Sequence, residues 1–496
     1  MFTAAERALA VELSGLAYVN PFLATRIEHE RRILGSGYID SQSYWSLLPD
    51  LDRKSNVDLI DAKCAKLVES LLPRLDDASA EERELYEGVV YYFLYELHRE
   101  SFLGLIERDS ATQKVDFYQA FARDVETYLP PAAGARAPID VPHLFACFFQ
   151  LRRAFHHIFR NIVGRSLAAA RLRANVWESI FTNDIRRYRR SLYSKMTDVA
   201  TLITGPTGTG KELVARAIAL SRYMPFDERR ERFVAESAMV GFNLAALSPT
   251  LIESELFGHR KGAFTGAIDD HTGFLESCGP HGTVFLDEIG EVDAAVQVKL
   301  LRVIQTRTLQ RIGDTTPRKF EGKIIAATNR DLAAEIRAGR FREDFFYRLC
   351  ADAITTPALR EQLTEPGELH HLARFISARV AGEQEADALA TQVVRAIETY
   401  PGLDYPWPGN FRELEQCVRS VMLRGSYRPA AIGSGDARLD VANAVLSGEL
   451  TADELLRKYC TLLYAKTRNY SHVAERLGVD RRTVRARIDA ELLSKL

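Results

Sequence analysis

Residues 199–212 read VATLITGPTGTGKE, and this stretch decides the fold of the chain. The apolar run Val199 to Thr204 predicts a buried strand, the glycines follow the spacing G-x-x-x-x-G-K, and Glu212 to Ser221 predicts a helix. In such a loop, backbone N–H groups and the helix N-terminus bind a phosphate, and the lysine reaches the β- and γ-phosphates. The stretch therefore predicts nucleotide binding through Gly205, Pro206, Thr207, Gly208, Thr209, Gly210, Lys211 and Glu212.

Two further apolar runs, 283–286 and 323–328, alternate with helical segments and predict a parallel α/β sheet. Asp287 and Glu288 follow the first of these runs. We expect Asp287 to hold Mg²⁺ through water and Glu288 to orient and deprotonate the attacking water. Glu212 stands where the motif usually has a hydroxyl, so Mg²⁺ is expected to depend more on phosphates, waters and Asp287.

Phosphoryl transfer also requires positive charge around the γ-phosphate. Arg342 and Arg348 would lie on different faces of one helix, so they could reach a nucleotide only across a subunit interface. Asn329 follows the second apolar run and could contact the γ-phosphate, and Arg412 could approach from a lid. Each is a weak signal alone, and two solvated arginines remain the alternative.

The stretch 253–267, ESELFGHRKGAFTGA, lies between the glycine loop and Asp287. Its inner hexapeptide has glycines at both ends and an apolar residue beside a hydroxyl, which favours an exposed, mobile loop. A buried glycine-containing turn is the alternative. The hexapeptide consists of Gly262, Ala263, Phe264, Thr265, Gly266 and Ala267.

The last residues, 469–496, predict a short helix, a turn at Gly478 and a second helix capped by Asp480. This spacing is typical of a helix-turn-helix whose second helix enters the major groove of DNA. A solvated basic helix is the alternative. The candidate DNA-binding residues are Arg481, Arg482, Thr483, Arg485 and Arg487.

Bulk composition is that of a soluble globular protein: of 496 residues, 46% are apolar and 27% charged. The formal net charge of -2 gives no global attraction to nucleic acid, so any basic surface must be local. No apolar run is long enough for a membrane span, and the first residues predict an amphipathic helix rather than a secretory signal. The six cysteines form no C-x-x-C pair, which favours a reducing cytoplasm.

The N-terminal part, residues 1–175, predicts an all-helical domain interrupted by the proline-rich segment 130–138. A metal site at His156 and His157 is disfavoured, because adjacent histidines point apart on a helix. After the sheet has begun, the charged segment FDERRERF, 226–233, predicts an exposed excursion. This composition does not distinguish a sensor of a small molecule or protein from a packing or oligomerisation domain.

The chain resembles the sigma-54-dependent transcriptional activators, or bacterial enhancer-binding proteins, of the AAA+ ATPase superfamily. The resemblance runs from about Thr182 to Arg424 and again over the terminal helices. It rests on the segments GPTGTGKELVARAIA, ESELFGHRKGAFTGA, GTVFLDEIGE, VKLLRVIQ, ATNRDL, FREDFFYRL and WPGNFREL. A glutamate after the P-loop lysine is common in that family.

The resemblance implies a role for each candidate residue. Arg342 and Arg348 match trans-acting arginine fingers, and Asn329 and Arg412 match sensors I and II. Asn243 matches an asparagine thought to restrain the catalytic glutamate, and Phe264 and Thr265 match the loop tip that engages sigma-54. The 227–232 insertion, the segment 350–356 and the N-terminal region depart from the family pattern, so the regulatory signal is not inherited.

These observations predict a multidomain chain: helical input domain 1–175, AAA+ α/β subdomain 176–356, helical lid 357–424, linker 425–450 and helix-turn-helix 451–496. The expected protein is a cytoplasmic ring, usually a hexamer, that binds upstream double-stranded DNA and ATP with Mg²⁺. It would convert the closed complex of sigma-54 RNA polymerase into the open one. The alternative is a DNA-bound AAA+ remodeller or repressor acting on another client.

Overall fold

The computed structural model describes residues 1–39, 53–108, 112–131, 139–234, 238–429, 441–442, 444–445, 448 and 450–495. The chain divides into two compact units, Met1–Tyr427 and Arg428–Leu496. Most of the predicted linkers, 130–138 and 425–450, lie outside the described residues. In the described part of the chain, no helix combines the length and apolar character that crossing a bilayer requires.

The N-terminal region is helical, as predicted. Capping boxes begin two of its helices, where Thr3 pairs with Glu6 and Ser79 with Glu82, so that orphan N–H groups are satisfied. The helices are α1 (Ala4–Tyr18), α2 (Ala24–Leu34), α3 (Arg53–Leu71), α4 (Ala80–Glu107), α5 (Tyr118–Tyr128), α6 (Val141–Asn161) and α7 (Leu167–Phe181). A single turn, α8 (Ile185–Arg187), continues into a π-helical turn (Tyr188–Leu192) that leads to the first strand.

A five-stranded parallel sheet follows, which confirms the predicted α/β class. Its strands are β1 (Thr201–Thr204), β4 (Met239–Asn243), β5 (Thr283–Asp287), β8 (Lys323–Thr328) and β9 (Asp352–Thr355), in the order β4-β5-β8-β1-β9. The remaining elements of this domain are α9 (Lys211–Ala219), α10 (Pro249–Phe257), α11 (Phe274–Ser277), α12 (Ala294–Thr306), α13 (Leu332–Arg337), α14 (Glu343–Leu349), and the short pairs β2 (Phe226–Asp227) with β3 (Arg232–Phe233) and β6 (Thr308–Leu309) with β7 (Arg318–Lys319).

The two faces of the sheet bury different neighbours. Leu202 and Leu286 pack with helices of the α/β domain, including Leu256 and Leu300. On the other face, Ile203 packs with α9 and with Trp177 of α7. A division of the chain at residue 175 therefore cuts through a helix that covers the sheet.

The segment 226–233 is not the exposed excursion that its charges suggest. It forms the hairpin β2–β3, whose Phe226 and Phe233 are buried in the core of the N-terminal helices. The aromatic rings of Phe233 and Phe149 stack at 4.3 Å. Composition misleads here because the charged residues occupy the turn while one apolar side chain at each end carries the packing.

A helical lid completes the first unit. It consists of α15 (Leu359–Gln362), α16 (Glu368–Ala381), α17 (Ala386–Thr399) and α18 (Asn410–Arg424), around the buried Trp407. The second unit contains α19 (Ala452–Thr467), α20 (Tyr470–Leu477), α21 (Arg481–Ala486) and α22 (Ala490–Lys495). Leu463, Val473 and Val484 form its small core.

Candidate functional site

The glycine loop joins β1 to α9 in a conformation that only glycine adopts without strain. Gly205 and Gly208 have φ of 144° and 79°, and a Cβ at either position would overlap Thr356 or the carbonyl of Gly409. The amide groups of 207–211 donate no hydrogen bond to any residue that the structure describes. This loop therefore offers a row of free N–H donors at a helix N-terminus, which is the chemistry that binds phosphate.

Lys211 lies at the centre of this site and is largely buried. Its Nζ donates to the carbonyl oxygens of Gly205 and Pro206, at 2.9 and 3.1 Å. Burial lowers the pKa of Lys211, against the opposing effect of the Glu288 and Asp287 carboxylates. The ammonium is thus held by two neutral carbonyls that an anionic phosphate can replace.

The carboxyl end of β5 brings Asp287 and Glu288 to the same edge of the sheet. Asp287 Oδ1 accepts from the Glu288 amide at 3.0 Å, and burial raises the pKa of Asp287. Glu288 itself has φ 56° and ψ 48°, a left-handed conformation that is strained for a residue with a Cβ. Asp287 alone is enough to bind Mg²⁺ beside a phosphate loop, because Mg²⁺ keeps several of its waters and binds mainly to the phosphates.

Asn329 connects the acidic end of β5 to the glycine loop. Its backbone amide donates to Glu288 Oε2 at 3.4 Å, and its side-chain Nδ2 donates to Thr207 Oγ1 at 2.8 Å. One residue therefore contacts both the phosphate loop and the candidate base.

The lid contacts the glycine loop through the first residues of α18. Asn410 Nδ2 donates to the carbonyl of Thr207 at 2.9 Å, and the Phe411 amide donates to that of Gly208 at 3.0 Å. Arg412 follows, is exposed, and contributes to lowering the pKa of Lys211 by charge repulsion. Any nucleotide in this loop lies against the lid as well as the sheet.

Four predicted residues lie apart from this constellation. Arg342 caps α14 and forms an ion pair with Asp344 at 2.7 Å, and Arg348 is exposed near Asp198. The side-chain Oδ1 of Asn243 accepts from the Ala245 amide at 2.9 Å, although Asn243 lies opposite Asp287 in the sheet. Glu212 forms a surface ion pair with Arg216.

The loop 262–267 is a tight surface turn. The Gly262 amide donates to the Ala267 carbonyl at 2.8 Å, and both glycines have positive φ. Thr265 is exposed, whereas Phe264 is half-buried with its ring edge-on to His259 at 5.0 Å. The most exposed apolar side chain here is Ile268, at 75%, which directly follows the hexapeptide and was missed by sequence reasoning.

In the second unit, α20 and α21 are separated by Gly478, which has φ of 66°. Asp480 caps α21, and its carboxylate also accepts from the Thr483 hydroxyl at 2.7 Å. Arg481, Arg482 and Arg485 are exposed, while Arg487 forms an ion pair with Asp453 of α19. The first three side chains are therefore more available to a polyanion than the fourth.

The fold and the site define a P-loop domain of the AAA+ type. Residues 181–355 match the family described as the sigma-54 interaction domain. The chain is 39% identical over 303 residues to the transcriptional regulatory protein ZraR of Escherichia coli K12, covering 59% of this chain and 63% of that protein. It is 46% identical over 228 residues to the Nif-specific regulatory protein of Enterobacter agglomerans, covering 45% and 40%. The chain thus spans less than two thirds of the length of these relatives.

Among solved structures, NtrX from Brucella abortus in complex with ADP is 23% identical, with a TM-score of 0.41, covering 76% of this chain and 80% of that chain. A likeness this weak carries no conclusion about function. The likeness to the sigma-54 interaction domain thus covers the central part of the chain, residues 181–355.

Proposed function

We propose that the protein hydrolyses ATP and uses the free energy to remodel sigma-54 RNA polymerase from the closed to the open complex. The observation that carries this proposal is the contact of Asn329 with both Glu288 and Thr207. It joins a candidate base, a candidate γ-phosphate sensor and a phosphate loop within one edge of the sheet. The match of residues 181–355 to the sigma-54 interaction domain family supports the choice of client.

The chemistry follows from the side chains present. The free amides of the glycine loop bind the β-phosphate, and Lys211 exchanges its two carbonyl partners for the β- and γ-phosphates. Asp287 would hold Mg²⁺, which would neutralise charge on the phosphate oxygens. Glu288 orients the attacking water and accepts its proton, while Asn329 senses the γ-phosphate.

The exposed positions of Arg342 and Arg348 support a ring. Neither side chain contacts the glycine loop of its own chain among the described residues, so each is available to a neighbouring subunit. An arginine supplied across an interface makes hydrolysis depend on assembly. We therefore propose a homo-oligomer, with a hexamer as the expected state.

The residues proposed to contact sigma-54 and DNA lie outside the ATP site. Thr265 and Phe264 are proposed to contact sigma-54, because the loop that carries them is a surface turn of the sheet domain with an exposed hydroxyl. The exposed arginines of α21 are proposed to contact upstream double-stranded DNA. The structure of each unit supports its own role.

A pair of variants tests the proposal. Glu288→Gln should bind ATP normally and lose roughly two to four orders of magnitude in turnover, since the water loses its base. Thr265→Ala should retain ATP hydrolysis and lose open-complex formation on a sigma-54 promoter. The measurements are nucleotide binding, phosphate release and open-complex yield.

Thr399→Ala, on an exposed face of α17, is the matched control for Thr265→Ala and should behave as wild type. Near-normal hydrolysis by Glu288→Gln would remove Glu288 from its role. If Thr265→Ala still opens the promoter, Thr265 does not carry the sigma-54 contact. If wild type never opens it, the client is not sigma-54, which would favour a remodeller or repressor of another kind.

A further inference from the structure

A cavity of about 380 Å³ lies at the amino-terminal edge of the parallel sheet, opposite the edge that carries the glycine loop and Asp287. Its wall includes residues that precede or begin three strands, namely Asp198 before β1, His281 before β5 and Lys323 in β8. Another part of the wall comes from the segment 188–197, which connects the N-terminal helices to β1. The volume is in the range of small-molecule sites, and the proposed function does not use it.

Three cations of the wall converge on the turns that lead into β5 and β8. Nη1 of Arg222 and the backbone amide of Lys323 both donate to the carbonyl of Gly282, directly before β5. Nη2 of Arg307 donates to the carbonyl of Gly322 at 2.6 Å, directly before β8. Two guanidinium groups and an ammonium therefore share the lining of one cavity.

Neutral groups satisfy the hydrogen bonds of two of these cations without offsetting their charge. Nη2 of Arg222 donates to the Thr197 hydroxyl at 2.6 Å and to the Pro280 carbonyl at 2.9 Å. Nζ of Lys323 donates to two backbone carbonyls, at 2.7 and 3.4 Å. Neither side chain forms an ion pair with a carboxylate that the structure describes. A buried charge whose partners are all neutral is costly, and an anion in the cavity would offset that cost.

The carboxylates in the wall are fewer than the cations, and both are already paired. Asp198 pairs with Arg307 at 3.4 Å, and Glu321 pairs with Lys319 at 2.5 Å. Burial, with a nearby guanidinium, lowers the pKa of His281, so this ring is neutral near neutral pH. The described wall therefore carries two positive charges that no carboxylate in it offsets.

Asp352 is close to Lys323 but does not line the cavity. Burial lowers the pKa of Lys323 to about 8 against the attraction of Asp352, and both guanidinium groups add to the fall. The Oδ2 atom of Asp352 accepts from the hydroxyls of Ser179 and Thr201, at 2.5 and 2.8 Å. An anion in the cavity would favour the charged form of Lys323, so that its binding and the protonation of Lys323 support each other.

The rest of the wall is largely apolar and aromatic. The rings of Tyr193 and Tyr223 lie 4.6 Å apart, and the guanidinium of Arg307 lies over the ring of Phe320 at 4.7 Å. Aliphatic and thioether side chains complete this part of the wall: Ile180, Met196 and Ile218. The cavity is larger than a phosphate group alone fills, so the ligand that it accommodates carries an apolar body as well as charge.

We propose that this cavity binds a small phosphate monoester, with its phosphate against Arg222 and Arg307, near the charge of Lys323, and its apolar body against the aromatic wall. A phosphate monoester carries close to two negative charges at neutral pH, which matches the two positive charges of the wall. Guanidinium groups also donate to phosphate oxygens in pairs. The site lies at the opposite edge of the sheet from the ATP site and does not rest on the proposed function.

The test titrates the full chain with phenyl phosphate by calorimetry at about pH 7, beside the uncharged phenol. The titration uses Lys211→Ala, because the glycine loop of wild type is itself a phosphate site. One phenyl phosphate should bind per chain, about tenfold or more tighter than phenol, since only the ester supplies the missing charge. Absence of phenyl phosphate binding, or equally tight binding of phenol, would overturn the proposal.

Two variants in the Lys211→Ala background locate the site. Lys323→Met removes the buried charge, and Arg307→Gln removes a guanidinium that is only half-buried. Each should weaken phenyl phosphate binding about fivefold or more. The exposed controls Lys66→Met and Arg302→Gln, the second of which lies on α12 just before Arg307, should stay within about twofold. Unchanged affinity in either folded variant would overturn the site, and Arg307→Gln decides alone if Lys323→Met does not fold.

A third variant should change the affinity in the opposite direction. Asp198 pairs with Arg307 from an exposed position, so Asp198→Asn frees the guanidinium for the phosphate. Phenyl phosphate should then bind about twofold or more tighter, which is the size of effect that an exposed ion pair has. Equal or weaker binding would mean that the phosphate does not lie against Arg307, and the proposed placement would fail.

Discussion

At the scale of single residues, the sequence predicted where the Glu288 carboxylate lies, whereas only the fold shows that its backbone is left-handed. Its place after an apolar strand predicted a carboxylate at the sheet edge. Its left-handed backbone depends on the turn that leads into the next helical residues, 289–291. Strain of this kind persists where surrounding contacts fix the chain, and here Asn329 provides one of them.

Glu96 is the second informative residue, because it is a largely buried carboxylate of α4. Burial raises the pKa of Glu96 to about 7, and Asp61 of α3 adds to the rise. Arg99, Arg26 of α2 and Arg152 of α6 oppose it. The carboxyl is therefore half protonated near neutral pH in the folded chain.

This shift predicts a pH-dependent contribution to stability. The folded pKa of Glu96 lies above its usual value of 4.5, so the folded state binds more protons between these values. The contribution is complete below about pH 4.5 and is lost as the pH rises through about 7, at a cost on the order of 3 kcal/mol. Glu96→Gln should therefore gain stability relative to wild type at about pH 8 and not at about pH 5.

The measurement is the difference between the urea midpoints of wild type and Glu96→Gln at the two pH values. Wild type and variant must be compared at each pH, because other groups also make stability depend on pH. Burial lowers the pKa of His157 to about 3, and a histidine of this kind makes the folded state more stable as the pH rises. Glu100→Gln, an exposed position on the same helix, is the control. A pH-independent difference for Glu96→Gln would show that the carboxyl titrates normally.

At the scale of elements, the hairpin β2–β3 joins the sheet domain to the N-terminal helices. Its acidic residues are also engaged: the Tyr118 hydroxyl donates to Glu228 at 2.8 Å, and the Val115 amide donates to the Glu231 carbonyl at 2.7 Å. The hairpin therefore holds the region around α5 through both polar and apolar contacts. From the sequence, the charges of this segment predicted only an exposed excursion.

Removing one ring of the hairpin should weaken this connection. Phe233 is 1% exposed, so Phe233→Ala should cost about 3–5 kcal/mol by loss of burial and formation of a cavity. We expect faster amide hydrogen exchange in the hairpin and in α5 and α6, measured by mass spectrometry.

Val234 is the matched control, since it is the next residue and is 60% exposed. Val234→Ala should stay within about 0.5 kcal/mol of wild type and retain wild-type exchange. Equal protection of Phe233→Ala and wild type would mean that the hairpin does not hold the N-terminal helices.

At the scale of the whole molecule, the proposed arginine fingers act between chains. Lys211→Ala lacks a working phosphate loop, and Arg348→Ala lacks a finger, so each protein alone should be inactive. In an equal mixture, about a quarter of interfaces in a ring pair an intact loop with an intact finger, by random assortment. Mixing should therefore restore a measurable part of the ATPase rate.

The matched control mixes Lys211→Ala with Glu288→Gln. Both lesions lie in the same site, so no interface is complete and the mixture should stay inactive. Failure of the first mixture to recover activity, with each variant still assembling by light scattering, would mean that Arg348 does not act across subunits.

The sequence by itself determined the local chemistry of this protein. Three features depend only on neighbours within a few residues: the glycine spacing, the carboxylates after β5 and the run KIIAAT. The sequence pattern therefore predicted the parallel sheet and the candidate site residues at its edge. The roles of those residues, and of the arginines of α21, stay predictions. Periodicity likewise determined that the first residues are helical.

Only the tertiary structure decided which of these elements share a core. An apolar pattern shows that a side chain is buried but not what buries it, because the partner of Phe233 or Trp177 lies many residues away. The cavity at the amino-terminal edge of the sheet, the burial of the 226–233 hairpin, the ion pair of Arg487 and the exposure of Ile268 all arise from such long-range packing. Packing between distant segments is set by shape and volume, and a single sequence does not record those.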